Sequence, residues 1–117
     1  MNALNLKLYS NDELIENFEN VEYEKKQEFI YFNINDTKYF FYENIPSLSY
    51  LSKEEKVKMN FKEKIVSIIL LNTNYNLDII INEYEYEKKE NTYKISYVLD
   101  SEPDVKKNNF HNFIIIC

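Results

Sequence analysis

The feature that most constrains this chain is a period of two in its side-chain chemistry, repeated along most of its length. Leu4, Leu6 and Leu8 point one way and Asn5, Lys7 and Tyr9 the other. Val57, Met59 and Phe61 alternate with Lys58 and Asn60, and Glu83, Glu85 and Glu87 alternate with Tyr84 and Tyr86. Tyr93, Ile95, Tyr97 and Leu99 share a face, with Lys94, Ser96 and Val98 opposite. Successive side chains of a strand leave opposite faces of the sheet, so such alternation belongs to half-buried antiparallel strands. The eleven Tyr and eight Phe favour the same pleated surface.

Turn signals fall between these runs without glycine, of which the chain has none. Asn33-Ile34-Asn35-Asp36 separates Phe29–Phe32 from Lys38–Tyr42 and predicts a hairpin, because Asn and Asp tolerate positive φ better than other residues carrying a Cβ. Lys62-Glu63 separates Val57–Phe61 from Lys64–Leu71, and Asn72 to Asn76 precedes Leu77–Ile81. Lys88 to Asn91 divides Tyr84–Tyr86 from Tyr93–Leu99, and Asp100 to Asn109 leads into Phe110–Cys117. Asn11–Asn20 and Ile45–Glu55 read as irregular or briefly helical, with Ser52 before Glu54 and Glu55 able to open a single turn.

The sum is a single all-β domain over residues 1–117, an antiparallel barrel of about eight strands. Ile65–Leu71 and Phe113–Ile116 carry almost no charge and would template aggregation on an open edge. They are therefore expected as central strands, which a closed barrel provides.

Composition then excludes whole classes of function. Phosphate-cradling loops and nucleophile elbows are built on glycine, and none is present. With no Arg and a net charge of −6, the bidentate fork and the clustered cations that nucleic acid demands are missing, so no nucleic-acid partner is expected. One cysteine, Cys117, and one histidine, His111, cannot complete a structural zinc site or an intramolecular disulfide. Asp100, Glu102 and Asp104 recur at every second residue, but Pro103 stands where a calcium loop turns on glycine, and a solvated acidic loop is the simpler reading. No metal and no cofactor are expected. No basic, apolar leader and no run approaching the roughly 20 apolar residues of a membrane helix is visible, so the expectation is a cytoplasmic chain with no membrane partner.

The candidate site is the barrel interior. Eight strands enclose a space either just filled by side chains or just able to hold one small molecule. A pocket for an apolar or amphipathic ligand would be lined by Val57, Met59, Phe61, Tyr97, Leu99, Phe113 and Ile115, with His111 near the opening as a polar anchor. No nucleophile–base–orienter set is legible, so an enzyme is not expected. The rival reading is a protein-interaction module with a filled barrel. In that reading the acidic stripe Glu83, Glu85 and Glu87 and an outward Tyr84 or Tyr86 meet a basic partner or a second copy of the chain in a homodimer.

The final third has a further likeness. Tyr93–Asp100, an acidic loop and Phe110–Ile116 resemble the closing hairpin of the YwiB-like family of small bacterial proteins. Phe110-His111-Asn112-Phe113 resembles that family's Leu-His-Asn-Met run. Leu4–Ser10 fits its first strand, Phe29–Phe32 with Tyr39–Glu43 its aromatic hairpin, and Val57–Phe61 its Lys-rich strand. The resemblance implies a calycin-like, lipocalin-type barrel of unassigned function and no catalytic residues. This chain departs from the family in lacking the glycines its relatives carry at turns.

Overall fold

The computed structural model describes residues 2–100 and 110–117, and among them every regular element is a strand. In chain order these are β1 (Ala3–Ser10), β2 (Glu13–Lys25), β3 (Phe29–Ile34), β4 (Thr37–Tyr42), β5 (Ser47–Leu51), β6 (Glu55–Asn60), β7 (Ile65–Leu70), β8 (Tyr75–Lys89), β9 (Thr92–Leu99) and β10 (Phe110–Ile116). Each pairs antiparallel with the next, and β10 returns to β1, so the sheet closes into a barrel. The all-β barrel matches the sequence reading, but among the described residues the strands number ten and not about eight.

The difference has three sources. Most of Asn11–Asn20, expected to be irregular, is the first half of β2, and Ile45–Glu55 contains β5. Leu77–Ile81 and Tyr84–Tyr86 are parts of one strand, β8, whose register slips between Ile81 and Glu83. Ser52 does accept bonds onto its Oγ from the Glu54 and Glu55 amides at 3.3 and 3.2 Å, but it does so in the β5–β6 hairpin and opens no helix.

Turns form without glycine much as expected. The β3–β4 turn places Asn35 and Asp36 at φ of 49° and 65°, and the β1–β2 turn places Asn11 and Asp12 at 51° and 65°. Positive φ at both central residues matches the twist that a two-residue hairpin needs. Asn20 and Asn74 also sit at positive φ, as do Lys64 and Glu90, which have no such excuse in their side chains.

Two long strands make the corners. β2 pairs with β1 over 13–22 and with β3 over 23–25, while β8 pairs with β7 over 75–80 and with β9 over 81–89. Each therefore leaves one half of the barrel and enters the other, β2 near Asn20 and β8 near Asn82. Local kinks at such points let a strand serve two sheets. At the β2 corner Asn20 has φ 55° and its N–H donates to Asn5 Oδ1 at 3.0 Å.

The two apolar runs are central, as their chemistry demands: β7 lies between β6 and β8, and β10 between β9 and β1. Inside, Phe32, Phe41, Phe61 and Phe113 with Leu4, Leu6, Ile30, Val57, Ile81, Ile95 and Ile115 each retain under 2% of their accessible surface. Ten strands enclose more width than eight, and aromatic rings fill it. Phe113 meets Phe41 edge-on at 6.0 Å between centroids and Phe61 at 6.1 Å.

Candidate functional site

All the sequence-derived lining residues face the interior or its rim, yet they do not surround a chamber. Val57, Phe61, Tyr97, Phe113 and Ile115 are buried in the core, and Met59 and Leu99 pack against it half-buried. Phe61 touches Tyr97 at 5.3 Å as well as Phe113, so the proposed lining fills itself. A void wide enough for water leaves accessible surface on its walls, and the residues at the centre have almost none.

One end of the barrel is where β9 finishes and β10 starts. There His111, half-buried, lies against the Tyr97 ring at 5.5 Å, where burial lowers its pKa and favours neutral imidazole. Tyr39 and Tyr50 come to the same end from β4 and β5, with ring centroids 5.5 Å apart. Burial pushes Tyr50 and Tyr97 up to about 12, first by desolvation and then by neighbouring charge, and Tyr39 is raised as well. All three remain phenols at neutral pH. None of their hydroxyls bonds to another described residue.

The opposite end carries a cluster that period-two reading missed. Tyr84 and Tyr86, expected to face outward in the interaction reading, pack inward against the core, because the slip at Ile81/Glu83 resets which residues of β8 face in. Tyr86 donates its hydroxyl to the Glu43 carbonyl at 2.9 Å. Lys88 Nζ lies 3.5 Å from Glu43 Oε2, an ion pair and not a hydrogen bond, and 5.6 Å above the Tyr93 ring. The Tyr93 hydroxyl and then Lys25 and Lys88 hold the Glu43 carboxyl below its usual range against the opposing effect of burial. Tyr93 is raised, by burial first and by Glu43 second. Cys117 closes this end, and burial pushes its thiol up despite Tyr23 and Lys25 nearby. A raised thiol is a poor nucleophile. The signal for this cluster was non-local: Glu43 sits in a turn, and only closure brings Lys88 and Tyr93 to it.

Open concavities occur in the barrel wall and on its outer face. A cleft of about 920 Å³ runs where β2 and β3 diverge, lined by Asn17 to Glu24 and Tyr31 to Asn35 together with Asn2. A trough of about 680 Å³ crosses β4, β5 and β6, floored by Ser47 and Ser49 between Tyr42 and the pair Lys56 and Lys58. A smaller hollow of about 420 Å³ includes Glu85, Glu87 and Lys94. Glu83, Glu85 and Glu87 are exposed as expected, with Glu87 opposite Lys94 in the ladder.

Among the described residues no group of three or more His, Cys, Asp or Glu side chains is placed to hold a metal ion. Glu102 and Asp104 of the acidic loop lie outside the described residues. Among the described residues no helix is long and apolar enough to cross a membrane. No protein-family model, no curated protein and no solved structure matches this chain.

Proposed function

We propose that this chain is a non-enzymatic binding module, a filled barrel that works through its outer surface. The observation that carries the reading is the occupied centre: eleven large side chains keep under 2% of their surface, while the concavities of useful size lie in the barrel wall and on its outer face. Recognition sites for partners are made from exposed edges and clefts on a rigid scaffold, and a close-packed barrel is such a scaffold. Kinship with the YwiB-like barrels belongs to the same proposal, supported by the residue runs above and by closure of the sheet. So does a cytoplasmic location, which suits a single unpaired cysteine. Mass spectrometry of the purified chain under native and denaturing conditions tests the reading. The expected masses agree, and a small molecule lost only on denaturation overturns it.

A second reading has its own observation. Tyr39, Tyr50, Tyr97 and His111 lie together against the apolar core, and among the described residues none of the three hydroxyls has a hydrogen-bond partner, which suits the head of an amphipathic ligand held at the rim with no chamber beneath. Because the folded pKa of His111 is depressed, its contribution to stability is present above the ordinary value of 6.5 and is lost as pH falls through the folded pKa. His111→Gln therefore flattens the stability profile in that window. A ligand at the rim moves the His111 NMR titration, and an unmoved titration across a panel of amphiphiles removes this second reading.

A further inference from the structure

We infer that the unpaired edge of β2 accepts an additional strand, and that its occupant is an extended, lysine-rich segment of another protein. This deepens the binding-module reading and rests on it.

The first ground is register. From Glu13 to Glu22 β2 bonds β1 on one side only, and pairing with β3 begins at Tyr23. On the other side, the N–H and C=O groups of Glu13–Glu19 that do not bond β1 have no described strand to receive them, while register slips at Ile15 and at Glu19–Asn20 break the row and the Asn20 N–H is taken by Asn5 Oδ1. Such a row is the template that strand addition uses, the main chain giving affinity and alternate side chains giving selectivity.

The second ground is space. β3 ends at Ile34, and the turn at Asn35-Asp36 carries the chain away from β2. The cleft of about 920 Å³ opens between the diverging strands, with β2 residues as one wall and Tyr31 to Asn35 as the other. A strand laid along the edge enters this cleft from Asn17 onward.

The third ground is charge, which selects the occupant. Five of the thirteen residues of β2 are Glu (Glu13, Glu16, Glu19, Glu22 and Glu24) and one is Lys. A second copy pairing edge to edge would set these carboxylates against their own counterparts, and like charges directly opposite destabilise a ladder. The same carboxylates favour a strand carrying ammonium groups at alternate positions. Leu14 and Ile15, both exposed, offer apolar contact within the same run. The edge is thus closed to itself and open to a basic partner.

The test titrates the full chain with a peptide of about eight residues, alternating lysine and threonine, to match the length of the exposed run. Three comparisons accompany it: the same peptide with glutamate for lysine, the lysine peptide N-methylated at alternate backbone nitrogens, and the Glu13→Gln/Glu19→Gln chain. Backbone amide exchange locates the contact. The expected result is saturable binding at low salt by the lysine peptide alone, with new protection confined to residues 14–20. Removing carboxylates weakens it about two- to fivefold each. Equal binding of the N-methylated peptide reduces the effect to charge attraction and overturns strand addition. No binding, or protection elsewhere, also overturns it, though protection at the Ser47/Ser49 trough would leave the module reading standing. Residues 14–20 already protected in a sedimenting dimer would make the occupant a second copy and overturn the choice of partner.

Discussion

A residue with a Cβ pays about 1–2 kcal/mol to sit in the left-handed region, and Asn and Asp pay least because their short polar side chains bond locally. Among the described residues Asn11, Asp12, Asn20, Asn35, Asp36 and Asn74 fill six of the eight such positions, and Lys64 and Glu90 fill the others. Glu90 is the better place to relieve strain. It begins the two-residue turn joining β8 to β9, at φ 54°, where its partner Asn91 has no positive φ. That asymmetry is the one for which glycine is preferred at the first turn position. Glu90→Gly is expected to raise stability by about 1 kcal/mol, read as a higher urea midpoint with an unchanged slope. The tyrosines make a second statement at this scale. Tyr50, Tyr86 and Tyr97 rise to about 12, in each case first through burial. Their folded values exceed the unfolded 10.0, so the stability they contribute is complete below pH 10 and is lost as pH climbs through the folded values. Ultraviolet titration should show a late phase from Tyr50, Tyr86 and Tyr97 that coincides with unfolding. A single phase centred near pH 10 in folded protein would contradict their burial.

The corner strands decide how this barrel is assembled. β2 can bend from one half to the other because Asn20 adopts φ 55° and its amide finds Asn5 Oδ1. Valine at that position has no local bond to offer and is stiff at its branched carbon, so Asn20→Val should cost about 1–2 kcal/mol in chemical denaturation. Asn20→Gly should cost far less. If valine is tolerated as well as glycine, the corner is not where β2 turns. The same bend explains what the sequence hid. β1 and β9 alternate cleanly because each is paired along its length. Glu-Leu-Ile-Glu-Asn-Phe-Glu-Asn in β2 breaks period two because its register against β1 shifts between Leu8 and Tyr9 and again between Leu4 and Leu6. β5 was concealed differently. Its outward Ser47 and Ser49 lack the bulk that marks a strand, and Pro46 precedes them. The inward lining from Val57 to Ile115 was legible because facing direction is a local property of alternation. That it meets itself across the barrel, and that no described strand pairs the outer edge of β2 before Tyr23, depends on pairings between distant residues that no short run encodes.

Across the whole molecule, the number of strands and the size of the side chains have to agree. A ten-stranded ring lined with valine and alanine would enclose a void, and this one is lined at its centre by Phe32, Phe41, Phe61 and Phe113. Phe113 is the hub, in contact with Phe41 and Phe61 and on a strand held on both sides. Phe113→Ala should destabilise by about 3–5 kcal/mol, a large share of the roughly 5–15 kcal/mol typical of a folded domain. The vacated space is walled by apolar groups and should stay dry, so a small hydrocarbon such as benzene can enter it. Saturating benzene is therefore expected to raise the melting temperature of Phe113→Ala and to leave that of the natural chain nearly unchanged. The comparison separates a filled barrel from a hollow one without any knowledge of a natural ligand. If the natural chain gains as much as the variant, the centre already has room, and the interior returns as the place where this protein binds.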